Sequence, residues 1–328
     1  MIEKIKNLCW RSSASRLTTL AVLLIVAVAA FMTVNNRGAW DFILPLRGER
    51  VLLLLLVSYA IGVSTLLFQT LTNNPILTPG ILGFDALYIL LQTMLVFFFG
   101  VAGFTELNLY VCFAIENVVM IGASMGLFSI LMRYGYKDLT RMILIGVVFA
   151  TLFRSFNTLM QRMLDPTVFL VLQTKQFAQF TSVRPGLLAI GAAIAVVSAV
   201  WLWKKRYELD VLMLGREHAI SLGIHYSRLT MSILILIAVL VATATTLVGP
   251  VSFFGLLVCA LVNALTPTMK HEIRLPMTVL LAAVMLVGGQ FVFEQLLGMR
   301  SALSIVIEFL GGCVFLLLIF RNRPGRAR

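Results

Sequence analysis

Charge is what this sequence has least of. Only 12% of its 328 residues are Asp, Glu, Lys or Arg, against 60% hydrophobic, and the mean hydropathy is +0.99. Soluble domains carry roughly a quarter charged residues, so composition excludes a soluble fold and leaves little chain for an extramembrane domain. Acidic residues are scarcer still, 14 against 26 Lys plus Arg, for a net charge of +12. The basic residues fall in short clusters between apolar runs. That is the pattern of topology signals rather than of a nucleic-acid surface.

Chemistry is also thin. The four cysteines, Cys9, Cys112, Cys259 and Cys313, are far apart and form no CxxC pair, which excludes a disulfide framework and a cysteine zinc site. There is no GxxxxGK[ST] loop, no HExxH and no GxSxG, so the chain does not hold ATP in a P-loop and shows no recognisable catalytic set. His218, His225 and His271 lie in polar connections and read as solvated loop residues. No catalytic residue and no metal ligand is predicted.

Long apolar runs are what the chain has instead. They occur at 17–34, 51–71, 81–100, 108–131, 142–162, 185–203, 229–247, 253–267, 276–297 and 302–320. At ~1.5 Å per residue such lengths span a bilayer's hydrocarbon; 253–267 is the shortest. The expectation is an all-α polytopic membrane protein of about ten transmembrane helices, a single membrane domain over 1–328, in which the first run is a retained helix rather than a cleaved signal. With the N-terminus cytoplasmic, 18 of the 26 basic residues fall inside and 7 outside, with Arg154 in a span. That asymmetry predicts N-in, C-in.

Two connections exceed a turn. Outside, residues 165–184 mix apolar and polar side chains and predict a short interfacial helix. Inside, 204–228 is amphipathic and broken by Gly215 and Gly223, which predicts two short helices with a bend, the glycines at helix ends needing positive φ. The second and third spans meet in an uncharged elbow, Asn73-Asn74-Pro75 to Pro79-Gly80, with Gln69 one turn before it. A loop at a membrane face is normally charged, so something other than water is expected to pack on this one.

Polar groups within spans mark a lumen or a partner. Glu116 and Arg154 fall at equal depth on consecutive antiparallel spans, which makes an ion pair plausible. Glu294 and Glu308 sit in the outer halves of the last two spans, and Asp85 follows the elbow. Gly122-xxx-Gly126, Gly288-Gly289 and Gly311-Gly312 read as close-packing points.

The elbow stretch resembles the FecCD-type permeases of bacterial ABC importers for ferric siderophores, haem and vitamin B12. Their pattern there is R-x-P-R, a late Gln, then N-P-L-A-x-P-x-x-L-G. Arg47, Arg50, Gln69, Asn74, Pro75, Pro79, Leu82 and Gly83 match in order. Asp210, Leu214, Gly215, Ala219, Leu222 and Gly223 match that family's cytoplasmic coupling segment, and GPVSFFGLL from Gly249 matches its G-x-I-x-F-V-G-L-I block. There are departures. The family's Pro-His is Cys259-Ala260, its following Arg is Asn263, its Asp and Arg on the ninth span are Gln290 and Glu294, and Arg300-Ser-Ala-Leu-Ser304 replaces its Glu-x-Pro-x-Gly.

The resemblance implies the type II ABC importer permease fold in a bacterial inner membrane, and a transport subunit rather than an enzyme. It implies a second permease subunit (a different paralogue, or an identical copy), two ATPase subunits and a periplasmic binding protein. No cofactor is implied on this chain, ATP and Mg being held by the ATPase. Arg47 and Arg50, with Arg300 on the same face by topology, would dock the binding protein; 208–224 would seat in the ATPase clefts. The pathway would run along the interface between the two permeases, from the fifth and tenth spans, with Gln69, Asn73, Asn74, Glu116, Arg154, Glu294 and Glu308 as its candidate polar residues. The implied cargo is a ferric siderophore, and LDPTVFLVLQ resembles permeases for catecholate siderophores. Haem or vitamin B12 import is the alternative within the family, and an ion-coupled secondary transporter the alternative outside it.

Overall fold

The computed structural model describes residues 13–34, 40–106, 109–134, 139–174, 177–180, 185–266, 268–298 and 302–321. Among these it is helical, with no strand. In chain order the helices are α1 (Ser13–Thr33), α2 (Trp40–Thr72), α3 (Phe84–Glu106), α4 (Leu109–Tyr134), α5 (Leu139–Met163), α6 (Pro166–Thr174), α7 (Pro185–Leu212), α8 (Arg216–Ser221), α9 (Tyr226–Val248), α10 (Phe254–Leu265), α11 (His271–Phe291) and α12 (Ala302–Arg321). Six are long and apolar enough to cross a membrane, and four shorter apolar helices bring the set to the ten expected. The interfacial helix anticipated in 165–184 is α6.

The fold is arranged around α2. Its faces are covered by α11, α9, α10 and α7, and Leu53, Leu54, Val57, Val63, Leu66 and Leu67 are all closed off from solvent. A helix apolar on every side needs protein or lipid around it, and here protein covers most of that surface, with Leu52 left exposed. α1 lies along α11, with Phe31 fully buried. α3, α4 and α5 form a flank that joins the centre through α4 against α9, and α12 rests on α10, where Gly311 backs onto Phe253.

Three boundaries differ from expectation for physical reasons. α2 begins eleven residues earlier than the apolar run, because Arg47 ties this polar segment to α1 (below). The inner connection holds one short helix rather than two, since Lys204–Leu212 simply continues α7. α10 has 12 residues, about 18 Å, too short for a ~30 Å hydrocarbon core. The chain therefore returns from the outer end of α9 as a non-helical segment, 249–253, before α10 starts. Such backbone is tolerated at depth only where protein or a water-filled cavity receives it. Here Ser252 lies against Gly80 and the Asp85 carboxylate.

The glycine motifs divide. Gly289 meets Leu303 and Gly311 meets Phe253, as close packing requires, but no described atom lies near the positions a Cβ would take at Gly122, Gly126, Gly288 or Gly312. The GxxxG of α4 is therefore not a packing point within the described chain.

Candidate functional site

The elbow shapes the inner end of the bundle. α2 stops where Asn73 takes the left-handed conformation (φ 47°), a common helix C-terminus device that Asn tolerates. Asn74 Oδ1 accepts from the Ile76 N–H at 2.9 Å, an Asx turn. Gln69 Nε2 donates to the Pro75 carbonyl at 2.7 Å, which closes the turn. A short 3-10 segment, Pro79–Leu82, follows and ends at Gly83 with φ 101°. A Cβ there would sit 3.0 Å from Ala150 Cα of α5, so glycine meets both a dihedral and a contact requirement. As expected, protein packs on this uncharged loop. Gln69, Asn73, Asn74 and Pro75 share a recess of about 330 Å³ with Met213, Ala260, Asn263, Met269 and Arg274.

Beyond Ala260 and Asn263, already noted as departures, that recess is walled by side chains the sequence did not single out. Arg274, buried, donates from Nη2 to Asn263 Oδ1, with Nη1 near the sulfurs of Met213 and Met269. The family's Arg is absent at Asn263, and the Asn present accepts an arginine from α11 instead. His271 corrects an expectation. His218 and His225 are exposed, but His271 is fully buried, because it opens α11 against the end of α7. Asp210 Oδ1 accepts from both its backbone N–H and its Nδ1–H, each at 2.7 Å. Its Nε2 lies 2.9 Å from Thr70 Oγ1 of α2. Arg16 of α1 donates to the Leu265 carbonyl at the end of α10, so five helix termini are tied together at this end.

The coupling segment hangs below. Gly215 (φ 91°) and Gly223 (φ 82°) bracket α8 in positive φ, as expected. Ala219 is fully buried against the flanking helices, whereas Leu214, Ile220 and Leu222 are 58, 51 and 63% exposed. Three large apolar side chains bared around a six-residue helix form an exposed apolar patch of the kind that marks an interaction site. Ile220 has no counterpart among the residues the resemblance carried over, and its exposure is the signal that finds it.

The outer end holds the arginine pair. Arg47 is buried, and Nη1 donates to the carbonyls of Phe31 at 2.7 Å, Met32 at 3.3 Å and Val34 at 2.7 Å. A cation on the unsatisfied carbonyls of a helix C-terminus is favourable both as hydrogen bonding and against the helix dipole. Arg50 differs: its Nη1 pairs with Glu294 Oε1 at 2.7 Å, and its side chain is 19% exposed. Glu294 sits in a π turn, Val292–Leu296, that ends α11, and Gln290 Nε2 donates to its other oxygen at 3.0 Å. Arg300 lies outside the described residues.

Within the spans the structure does not join Glu116 to Arg154. Glu116 is buried and accepts from Gln92 Nε2 of α3 at 2.7 Å. α5 turns Asn157 into the bundle, where it accepts from Thr93 at 2.6 Å, and carries Arg154 on its exposed face. The rotation of α5 about its axis decides the partner. Glu308 is half-buried on α12, within electrostatic reach of Asp85. The exposed face of α5 is largely apolar: Val147, Val148, Thr151, Leu152, Ser155, Phe156 and Leu159 line an open groove of about 550 Å³.

Comparisons with known proteins agree with this architecture. The chain is 40% identical over 307 residues to a petrobactin import system permease protein of Bacillus subtilis, covering 94% of this chain and 97% of the relative. It is 31% identical over 312 residues to a second petrobactin import permease, from Bacillus anthracis, covering 94% and 88%. In structure it resembles a chain of a solved inward-facing metal-chelate type ABC transporter, with a TM-score of 0.81 at 22% identity over 94% of this chain and 99% of that one. The model of the FecCD transport family matches residues 14–321. A buried central helix, a closed Asn-Pro elbow and a bracketed coupling helix thus sit in a match that takes in nearly the whole sequence, and the chain belongs to the FecCD transport family.

Proposed function

We propose that this chain is the permease subunit of an ABC importer that carries a ferric siderophore inward across the cell membrane, with petrobactin the first candidate cargo. The observation that carries the reading is the 40% identity, end to end, with a permease whose name states petrobactin import. A second permease subunit covers the apolar groove of α5 and, with α12, completes the pathway. Its wall holds few charges, which suits a bulky complex that must pass without binding tightly. Two ATPase subunits receive Leu214, Ile220 and Leu222, and ATP with its Mg stays on them. An extracytoplasmic binding protein meets the outer rim at Arg50 and Arg300, while Arg47 holds the end of α1 that forms part of that rim.

The test is uptake of iron-55-labelled ferric petrobactin into proteoliposomes holding the full complex, with binding protein outside and ATP inside. ATP-dependent accumulation is expected. Accumulation equal to that of empty vesicles, or independent of ATP, overturns the reading. Substituting ferric enterobactin, haemin or cobalamin separates a wrong cargo from a wrong transport class.

Docking has its own prediction. In Arg50→Glu the rim cation is lost and its buried partner Glu294 faces a like charge. Binding-protein affinity for the reconstituted complex is expected to fall about tenfold, more steeply at low salt, because rim charges act chiefly on encounter and orientation. Measured by surface-immobilised complex at two ionic strengths, an affinity unchanged at both removes Arg50 from the docking surface.

A further inference from the structure

We infer that Asp210, His271 and Thr70 form a strut that carries displacement of the coupling segment into the central helix, with His271 as its positioning residue. The inference rests on the ABC-importer reading above.

The geometry provides one polar route between two elements that must communicate. Among the described residues the main packing of α8 is on α7 and α9, so a push on it leaves chiefly through the neighbouring helix ends. Asp210 sits two residues from the end of α7, and its carboxylate grips both the backbone N–H and Nδ1–H of His271 at 2.7 Å. Two bonds from one carboxylate oxygen to one residue fix both the start of α11 and the rotation of its first side chain. With Nδ1 as donor, the neutral ring presents Nε2 as an acceptor. Thr70 Oγ1 meets it at 2.9 Å and also lies 2.9 Å from the Leu66 carbonyl, one helical turn back. Thr70 follows Gln69 directly, and Gln69 clasps the elbow at Pro75. A residue-to-residue chain thus runs from the coupling segment through α11 to α2 and the elbow.

Burial gives the chain its stiffness. His271 has no solvent exposure and Thr70 is 2% exposed, so neither side chain can exchange its partner for water when α7 shifts. Charge-assisted bonds such as those to the partly exposed Asp210 carboxylate are the strong ones, and leaving the buried His271 ring without a partner is costly. The elbow's other end, at Gly83, abuts α5, so a displaced α2 terminus is transmitted to the helix that faces the pathway.

The test uses the full reconstituted complex and measures binding-protein-stimulated ATPase activity together with iron-55 petrobactin uptake. Thr70→Val removes only the last bond and keeps the side chain's shape. It is expected to leave assembly and basal ATPase activity unchanged while lowering cargo moved per ATP by about threefold or more. His271→Gln is expected to do the same. Because the bonds act in series, the Asp210→Asn, Thr70→Val double variant should be no worse than the more affected single one, as a double-mutant cycle reads directly. An unchanged ratio of cargo to ATP in Thr70→Val overturns the strut, as do fully additive losses. If the wild-type complex moves no cargo under ATP, it is the importer reading that has failed; failure of the strut alone leaves wild-type transport intact.

Discussion

Arg47→Glu is expected to cost this protein its fold at the outer end before it costs any docking. The guanidinium is buried, and one nitrogen reaches three carbonyls at the close of α1. A carboxylate there would be an acceptor among acceptors, unpaired and cut off from water. Removing one partner from a buried charged arrangement costs about 3–5 kcal/mol, a large fraction of a typical domain's stability. The measurement is membrane abundance and thermal unfolding of the detergent-solubilised complex. Arg47→Glu should be depleted and unfold at a lower temperature, while Arg50→Glu, whose side chain is partly exposed, should assemble normally and show its defect only with the binding protein. Equal stability of the two variants would refute the capping role of Arg47.

The largest effect at the opposite face is expected from Ile220→Asp combined with Leu222→Asp. Both side chains are exposed in the permease alone, so neither change disturbs the packing of α8, which rests on Ala219. In the complex each carboxylate would enter an apolar contact without a partner, and burying a charge that way is prohibitive. Co-purification of the ATPase subunits should fall by more than about tenfold, which is only ~1.4 kcal/mol of lost affinity, while the permease still folds. Retention of the ATPase at wild-type stoichiometry would show that this patch is not its seat. Ala219→Trp is the contrasting variant. It presses from inside the bracket set by Gly215 and Gly223 and should displace α8 without adding charge, leaving ATPase bound but uptake lost.

The contrast between the two arginines shows where sequence reading stops. The R-x-x-R spacing and its place before the second span were legible, because a basic pair beside an apolar run stands out in any composition. That one arginine turns inward onto α1 was not legible, since the acceptors are backbone carbonyls that carry no residue signature. Spans were readable because hydropathy is summed over twenty positions and tolerates error at any one. Glu116 and Arg154 failed for the opposite reason: pairing depends on each helix's rotation, and one α5 residue three positions along, Asn157, takes the inward place. His271 read as solvated because its neighbours Lys270 and Glu272 are charged. Its true surroundings come from Asp210, 61 residues back, and no local window spans that. The elbow was the intermediate case. Its Asn and Pro residues announced a tight turn, and the absence of charge announced cover, but the covering residues Met213 and Arg274, and the role of Asn263 as acceptor for Arg274, emerged only in three dimensions.

The abbreviated α10 has a consequence for how opening could be watched. Its first turn begins only after the non-helical segment 249–253, beside Ser252 and the elbow, so the amide protons of its first three residues have no preceding helical carbonyls to hold them, whereas the Leu257 N–H donates to the Phe253 carbonyl at 3.0 Å. Whenever the central passage fills with water, those amides are the ones wetted first, ahead of any in α2 or α9. Deuterium uptake confined to 254–256 would then serve as a clock for the passage, ticking faster in whichever nucleotide state admits solvent.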